Sequence, residues 1–340
     1  MAKETMTVGI ENIGIYVPPG IQDSAFIAEK SGIPLEVIEQ KFGIKQKHKA
    51  GPDEHVSHMA VKAALDALQD FDPRDLDLVV YCGSEYKDYY LHNLAAKIQH
   101  EIGATSSNAF EIHSLCSAGV WSLKVVKSMM LQDPDLNRVL LVTSSKEADL
   151  IDLKNQRARF MFNFGDGAAA ALLIKGINRN KILESSMITR AEFADDVAVY
   201  GVGSRNYYRY PTLNYDLRNL DVQDPLSMKE RLDPITLDNF ITVIEQAAQK
   251  SGYDPQDIDF IAPIFMKRSI LLKILSHFNL TEDQSYILDH YGHCQSADAY
   301  IALVEGSKLG RLKDGDLVVM FGAGTGYTWA ATALLWGECR

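Results

Sequence analysis

Two stretches of this chain run through the same order of elements, and that repetition narrows the fold more than any other feature. In the first stretch, Asp75-Leu-Asp-Leu-Val-Val-Tyr-Cys reads as a buried strand and Asn108-Ala-Phe-Glu-Ile-His alternates as a short one. Ser117-Ala-Gly-Val-Trp-Ser-Leu-Lys then begins an amphipathic helix, Arg138-Val-Leu-Leu-Val-Thr-Ser-Ser returns as a strand, and Gly167-Ala-Ala-Ala-Ala-Leu-Leu-Ile closes the set. In the second, Asp257-Ile-Asp-Phe-Ile-Ala-Pro is the matching strand, and Ser285-Tyr-Ile-Leu-Asp-His-Tyr-Gly-His-Cys leads into the helix Ser296-Ala-Asp-Ala-Tyr-Ile-Ala-Leu-Val-Glu. Asp316-Leu-Val-Val-Met-Phe-Gly and Thr328-Trp-Ala-Ala-Thr-Ala-Leu-Leu complete it. A helix is expected ahead of each set, at 58–69 and 237–251.

Strands alternating with helices indicate an α/β protein with buried parallel or mixed sheets. Element order, length and glycine placement agree between the sets, which favours a duplication over ordinary α/β patterning. The expected units are 1–178 and 179–340, arranged as a pseudo-dimer with the site where corresponding strand ends meet. Segment 191–232, rich in Tyr, Asn, Arg and Pro, fits neither unit and reads as an insertion or lid.

At 340 residues and 46% hydrophobic content, the chain can bury a large core. Its formal charge of −11 argues against bulk nucleic-acid binding. No run reaches ~18 uninterrupted apolar residues, so no membrane span is expected. Met-Ala-Lys-Glu-Thr-Met-Thr at the start has no apolar signal core, and Cys82, Cys116, Cys294 and Cys339 are too sparse for a disulfide scaffold. A reduced, cytoplasmic protein is expected.

Cys116 lies between the strand at Asn108 and the helix that follows, near the free N–H groups and positive dipole of a helix N-terminus. Such a position favours the nucleophilic thiolate. The plainer alternative is a buried structural cysteine. Asp289, His290, His293 and Cys294 are clustered, but their spacing fits no zinc motif, and no metal is expected.

Several motifs, in order, resemble the β-ketoacyl-acyl-carrier-protein synthase III (KAS III) branch of the thiolase superfamily over nearly the whole chain. They are Ile10-Glu-Asn-Ile-Gly-Ile-Tyr-Val-Pro, Phe42-Gly-Ile-Lys-Gln-Lys-His, the Cys116 turn, Phe164-Gly-Asp-Gly-Ala-Ala-Ala, Tyr291-Gly-His-Cys-Gln-Ser-Ala and Gly324-Thr-Gly-Tyr-Thr-Trp. 3-Hydroxy-3-methylglutaryl-CoA synthase is a more distant relative. The resemblance implies a thiolase-like five-layered αβαβα fold from two duplicated halves, a homodimer, and an acyl thioester on Cys116. It implies no cofactor beyond the acyl-CoA or acyl-carrier thioester that serves as substrate.

The departures from the family pattern shape the functional expectation. Condensing enzymes set a His and an Asn beside their cysteine to bind the extender's thioester carbonyl and promote decarboxylation. Here the His position falls on Ile261 or Ile264, and neither can carry a proton. The Asn position is His293. A lone His can still act as base for the thiol and then for an incoming alcohol, amine or thiol, with Asp298 as the nearest group to orient it. Some KAS III-like acyltransferases of natural-product pathways look similar. Acyl transfer is therefore expected ahead of decarboxylative condensation, with a non-catalytic acyl-binding partner subunit last.

The backbone N–H groups of Cys116 and Thr325 are the expected oxyanion donors. The basic run from Lys41 to Lys49, with Lys267 and Arg268, is a candidate contact for CoA phosphates or an acidic carrier protein, a solvated face being the ordinary alternative, and the resemblance sets Arg157 and Arg159 near a family CoA-contacting arginine. The family's adenine-sandwiching Trp and Arg are Val37 and Lys41 here. His113 is expected to be structural, and Glu85 is a minor candidate for the general acid of the 3-hydroxy-3-methylglutaryl-CoA synthases.

Overall fold

The computed structural model describes residues 6–206 and 215–338. Its first strands are β1 (Val8–Tyr16), β2 (Ile21–Asp23), β3 (Gln46–His48), β4 (Leu78–Gly83), β5 (Asn108–His113), β6 (Arg138–Ser145) and β7 (Gly167–Lys175). After them come β8 (Arg179–Thr189), β9 (Val197–Ala198), β10 (Asp221–Val222), β11 (Phe260–Ala262), β12 (Leu317–Gly324) and β13 (Thr328–Glu338). The helices are α1 (Ser24–Ser31), α2 (Val56–Leu68), α3 (Leu94–Glu101), α4 (Ala118–Gln132), α5 (Pro225–Lys250), α6 (Arg268–His277) and α7 (Asp298–Lys308).

Nine strands form one mixed sheet in the order β11-β12-β13-β8-β1-β7-β6-β4-β5, and two short ribbons pair β2 with β3 and β9 with β10. The sheet has two arms that meet where β1 touches β8 at the Gly9–Lys181 pair. Read outward from that seam, the arms follow the same course: β1-β7-β6-β4-β5 on one side and β8-β13-β12-β11 on the other. The counterpart of β5 is reduced to a single parallel bridge between Ile261 and Ser285.

Alternation along each strand places helices on both faces. In β4, Val79 and Tyr81 pack with Met59, Ala63, Leu94 and Ile98 of α2 and α3. Leu78, Val80 and Cys82 face the other way, into a core shared with α4, α7 and the second arm's Val318 and Met320. Val319 and Phe321 of β12 pack outward on Val243 and Ile244 of α5 and Ile274 of α6. The layers are thus α2/α3, first arm, α4/α7, second arm, α5/α6. Burial on both faces is why the strands read as nearly continuous apolar runs.

The central helices approach closely because Gly119 has no side chain. A Cβ there would lie 2.4 Å from the carbonyl oxygen of Ser296. Tyr300 Oη donates across the crossing to the Gly119 carbonyl at 2.7 Å.

Two sequence expectations need correction. The helix expected at 237–251 begins at Pro225 and runs 26 residues, with Pro234 inside it. Segment 191–232 is consequently no single loop. Among its described residues are two 3-10 turns, the β9–β10 ribbon and the first turns of α5, while residues 207–214 lie outside the described residues. Proline within the helix and a polar run ahead of it hide the helical period that the later turns display. No helix among the described residues is long and apolar enough to cross a membrane.

Candidate active site

Cys116 sits in the 3-10 turn Leu115–Ser117 that enters α4. Leu115 takes φ +49, which swings the chain sharply from β5 into the helix. Ser117 Oγ donates to the Ser114 carbonyl at 2.8 Å and holds the turn closed. The end of β12 lies against it. A Cβ on Gly324 would be 2.6 Å from the Ser114 carbonyl oxygen and 3.3 Å from the Cys116 nitrogen, so only glycine permits this approach.

His293 reaches the sulfur from the other half of the chain. Its N–H donates to the Asn163 carbonyl at 2.7 Å, its own carbonyl accepts from the Gly165 N–H at 3.0 Å, and the Phe164 ring packs edge-on at 4.8 Å. Nε2 lies 3.2 Å from Cys116 Sγ, and Nδ1 lies 2.6 Å from Asp298 Oδ2. Asp298 opens α7 and is 1% exposed. Its Oδ2 also accepts the Phe265 N–H at 2.7 Å, and its Oδ1 accepts the Cys294 N–H at 2.7 Å. A carboxylate held by those partners keeps the imidazole proton on Nδ1 and leaves the Nε2 lone pair for the thiol.

Burial acts to lower the His293 pKa, but the Asp298 carboxylate, with a contribution from Cys116, outweighs it and holds the imidazole well above its ordinary range. Burial pushes the Cys116 thiol up, against a downward pull from His293, and Glu147 and Asp298 add to the rise. The resting thiolate expected at a helix N-terminus is therefore not favoured. Loss of solvent, with smaller contributions from two buried carboxyl groups, outweighs the dipole. What the geometry provides is a thiol within hydrogen-bond distance of an imidazole that can take its proton once the imidazole is itself neutral.

A cavity of about 820 Å³ opens onto this pair. Ile264, Asn163, Thr325 and Tyr327 line it beside Cys116 and His293, and α5 supplies an apolar wall through Met228, Leu232 and Phe240. Of the two positions considered for a family histidine, Ile264 faces the cavity, while Ile261 is wholly buried in β11.

The expected anion contacts divide. Arg157, Arg159 and Lys267 line the cavity, and Lys41 lines an adjoining groove of about 670 Å³ together with Arg159 and Lys267. Arg157 is also tied to the ribbon, through the Val222 carbonyl and an ion pair to Asp221 at 3.3 Å. Arg268 lines neither space, because its guanidinium pairs with Glu282 at 2.6 Å. Nor is the basic run a free cradle. Lys45 pairs with Asp289 at 2.7 Å, Lys49 with Asp149 and Asp166, and Lys47 is buried with its ammonium on the Phe162 carbonyl at 2.9 Å. Intramolecular partners, invisible in a local charge count, use these cations up.

Glu85 is 73% exposed, pairs with His113 at 3.3 Å and does not line the cavity. His113 also bonds Glu111 at 3.0 Å. No group of three His, Cys, Asp or Glu among the described residues is arranged to hold a metal. Cys82, Cys116 and Cys294 are buried free thiols, and Cys339 lies outside the described residues. Sequence reasoning missed Glu147, a buried carboxyl held by Gln295 Nε2 at 2.7 Å and by Ser84. Its setting, Ser-Ser-Lys-Glu-Ala-Asp, reads as a surface turn. It also missed Asn163, whose polarity between Phe162 and Phe164 was the available signal.

Models of 3-oxoacyl-[acyl-carrier-protein] synthase III match residues 110–191, and of its C-terminal part residues 248–336, together about half of the chain. The chain belongs to the KAS III family. Its curated relatives include the β-ketoacyl-[acyl-carrier-protein] synthase III of Rickettsia bellii, 25% identical over 97% of this chain and 100% of that protein. That of Bacillus pumilus is 27% identical over 98% and 100%. Among solved structures, the priming β-ketosynthase of the R1128 polyketide pathway superposes with a TM-score of 0.86 at 22% identity, covering 100% and 99% of the two chains. The 3-oxoacyl-[acyl-carrier-protein] synthase III of Aquifex aeolicus gives 0.83 at 22% identity, covering 97% and 100%. These likenesses establish a thiolase-like KAS III fold.

Proposed function

We propose that this KAS III-family chain is an acyltransferase that takes an acyl group from acyl-CoA or an acyl-carrier protein onto Cys116 and passes it to a nucleophilic acceptor. The observation that carries the reading is the pairing of an Asp298-held His293 with Cys116 in a cavity that Ile264, one of the two candidates for the other family histidine position, lines with an apolar side chain.

In the loading step, His293 Nε2 takes the thiol proton as Sγ attacks the thioester carbonyl. The N–H groups of Cys116 and Thr325 receive the oxyanion. Collapse breaks the donor's C–S bond, and His293 returns the proton to the departing carrier thiolate. In the second step, His293 takes a proton from the acceptor as that atom attacks the acyl carbon. The bond to Cys116 then breaks, and its sulfur recovers the proton. Asp298 stabilises the imidazolium formed in each step. Arg159, Lys267 and Lys41 suit the phosphates of CoA or the acidic surface of a carrier.

The relatives' names favour a second reading, decarboxylative condensation, which would have to proceed without a second histidine. We further take the chain to work as a cytoplasmic homodimer built from units 1–178 and 179–340, with no cofactor. Intact mass after incubation with a panel of acyl-CoAs tests the proposal. A covalent acyl adduct is expected on wild type and not on Cys116→Ala. Absence of an adduct with every acyl-CoA and acyl-carrier protein tried would overturn it.

A further inference from the structure

Glu147 is a buried carboxyl within electrostatic reach of both Cys116 and His293, and the steps above leave it without a task. It opens the 3-10 turn Glu147–Leu150 that follows β6. That turn is fixed in place, with the Glu147 N–H donating to Ser145 Oγ at 3.2 Å and the Ala148 N–H to Asp166 Oδ1 at 3.1 Å. The Ser84 hydroxyl, just beyond β4, also bonds the carboxyl. From this first-arm platform Glu147 Oε1 reaches the second half and accepts from Gln295 Nε2 at 2.7 Å.

Gln295 takes φ +57, a left-handed conformation that a side chain disfavours and glycine adopts freely. It stands between His293 and Asp298, so its torsion sets how the base faces the carboxylate that orients it. Two contacts close across it, from the Cys294 N–H to Asp298 Oδ1 at 2.7 Å and between His293 Nδ1 and Asp298 Oδ2 at 2.6 Å. The Gln295 side chain is buried, its Oε1 has no hydrogen-bond partner, and a Cβ on Gly83 would lie 3.1 Å from that oxygen. Among the described residues, Glu147 is thus the one group that holds the carboxamide. Without it both ends of a buried amide would be unpaired, which favours turning the side chain out and relaxing the torsion.

We propose that Glu147 is a positioning residue that acts through Gln295 to hold the left-handed turn setting His293 against Cys116, a role that rests on the acyltransferase reading above. The task needs an oxygen acceptor and no charge. Burial pushes the Glu147 carboxyl up, and either protonation state keeps an oxygen for the Gln295 amide. A glutamine at position 147 meets the same need, whereas a leucine leaves the amide unpaired. A glycine at position 295 takes the torsion unaided and makes the anchor dispensable.

The test follows single-turnover octanoylation of Cys116 by intact mass over a range of octanoyl-CoA concentrations. Glu147→Leu should lower the limiting rate by about tenfold or more, as small misplacements of a reacting group do. The concentration giving half that rate should change by about twofold or less, since no substrate contact is lost. Glu147→Gln, which keeps the acceptor, should stay within about threefold of wild type. In a Gln295→Gly background, Glu147→Leu should cost about twofold or less, the coupling expected if one residue acts through the other. Circular dichroism melting reports folding, and should the leucine variant not fold, Glu147→Ala carries the same comparison. Equal losses in the glutamine and leucine variants would assign Glu147 a role through its charge and overturn the proposal. A lower melting temperature at the full acylation rate would overturn it as well, by making Glu147 a structural support. So would an undiminished loss in the Gln295→Gly background, or a Gln295→Gly enzyme that cannot load. A wild-type enzyme that never acquires the octanoyl group fails earlier, at the acyltransferase reading itself.

Discussion

The two halves enter their central helices through turns built alike, and only one of those turns seats its histidine on a buried aspartate. In the first, Leu115 at φ +49 is followed by the 3-10 turn Leu115–Ser117 and then α4; in the second, Gln295 at φ +57 is followed by Gln295–Ala297 and then α7. Counted from these residues, Cys116 corresponds to Ser296, His113 to His293 and Ala118 to Asp298. Each turn thus has a histidine two residues ahead of its left-handed residue. His113 remains about a third exposed among Glu111 and Glu85, whereas His293 is buried on Asp298 and faces Cys116. The serine opposite the cysteine has become a brace, its Oγ donating to the Leu115 carbonyl at 2.7 Å. One motif places the cysteine and its copy places the histidine that faces it. The decisive difference is a carboxylate at the first residue of α7, where α4 has a methyl group.

The sharpest way to break this comparison is to remove each histidine in turn. His293→Ala should slow single-turnover acylation of Cys116 by about 10²–10⁴-fold, the usual contribution of a positioned general base. His113→Ala should change it less than twofold. Comparable losses would mean the two turns are not functionally distinct.

Asp298→Asn should slow acylation on the order of 10²-fold and move its pH profile. The base must be unprotonated to accept the thiol proton, and the carboxylate holds His293 above its ordinary pKa, so the acidic limb should lie above pH 6.5. Without that charge, burial pulls the imidazole down and the limb should shift to lower pH. A limb that stays in place would show that Asp298 does not set the titration of His293.

Lys47 sharpens the comparison from the stability side, because it packs beside Gly292, just ahead of the second turn. Burial lowers its pKa from 10.5 to about 7. At this group the unfolded chain therefore binds more protons between those values, so Lys47's own contribution to stability rises with pH from 7 to 10.5. Relative to Lys47→Met, which has no such group, that gain should be on the order of a few kcal/mol, read from urea melts at pH 7 and pH 10. The smallest effect is expected for Ser296→Ala. Loss of its bond to Leu115 should lower stability by about 1 kcal/mol and leave His293 in place.

Much of the architecture is legible in the sequence because sheets buried on both faces write long apolar runs, and both sets of runs survive. The opening of α5 is not legible, since Pro234 and the charged residues among its apolar ones obscure its period. Cys116, His293 and Asp298 could be singled out through junction position, motif and spacing. Glu147 could not, because burial that arises from distant segments leaves no local mark, and Asn163 left only its polarity between two phenylalanines. The cations failed for the mirror-image reason. Lys45, Lys47, Lys49 and Arg268 look available in the chain, yet each finds a partner far from it in sequence.

The most direct test of acyl transfer over condensation is to offer the octanoylated enzyme malonyl-CoA and methoxyamine together and to measure released CO₂ against the N-acyl product. We expect the acyl group to leave as the amide, with CO₂ no higher than in the Cys116→Ala control. Release of CO₂ in step with loss of the adduct would contradict that account and make this chain a condensing enzyme.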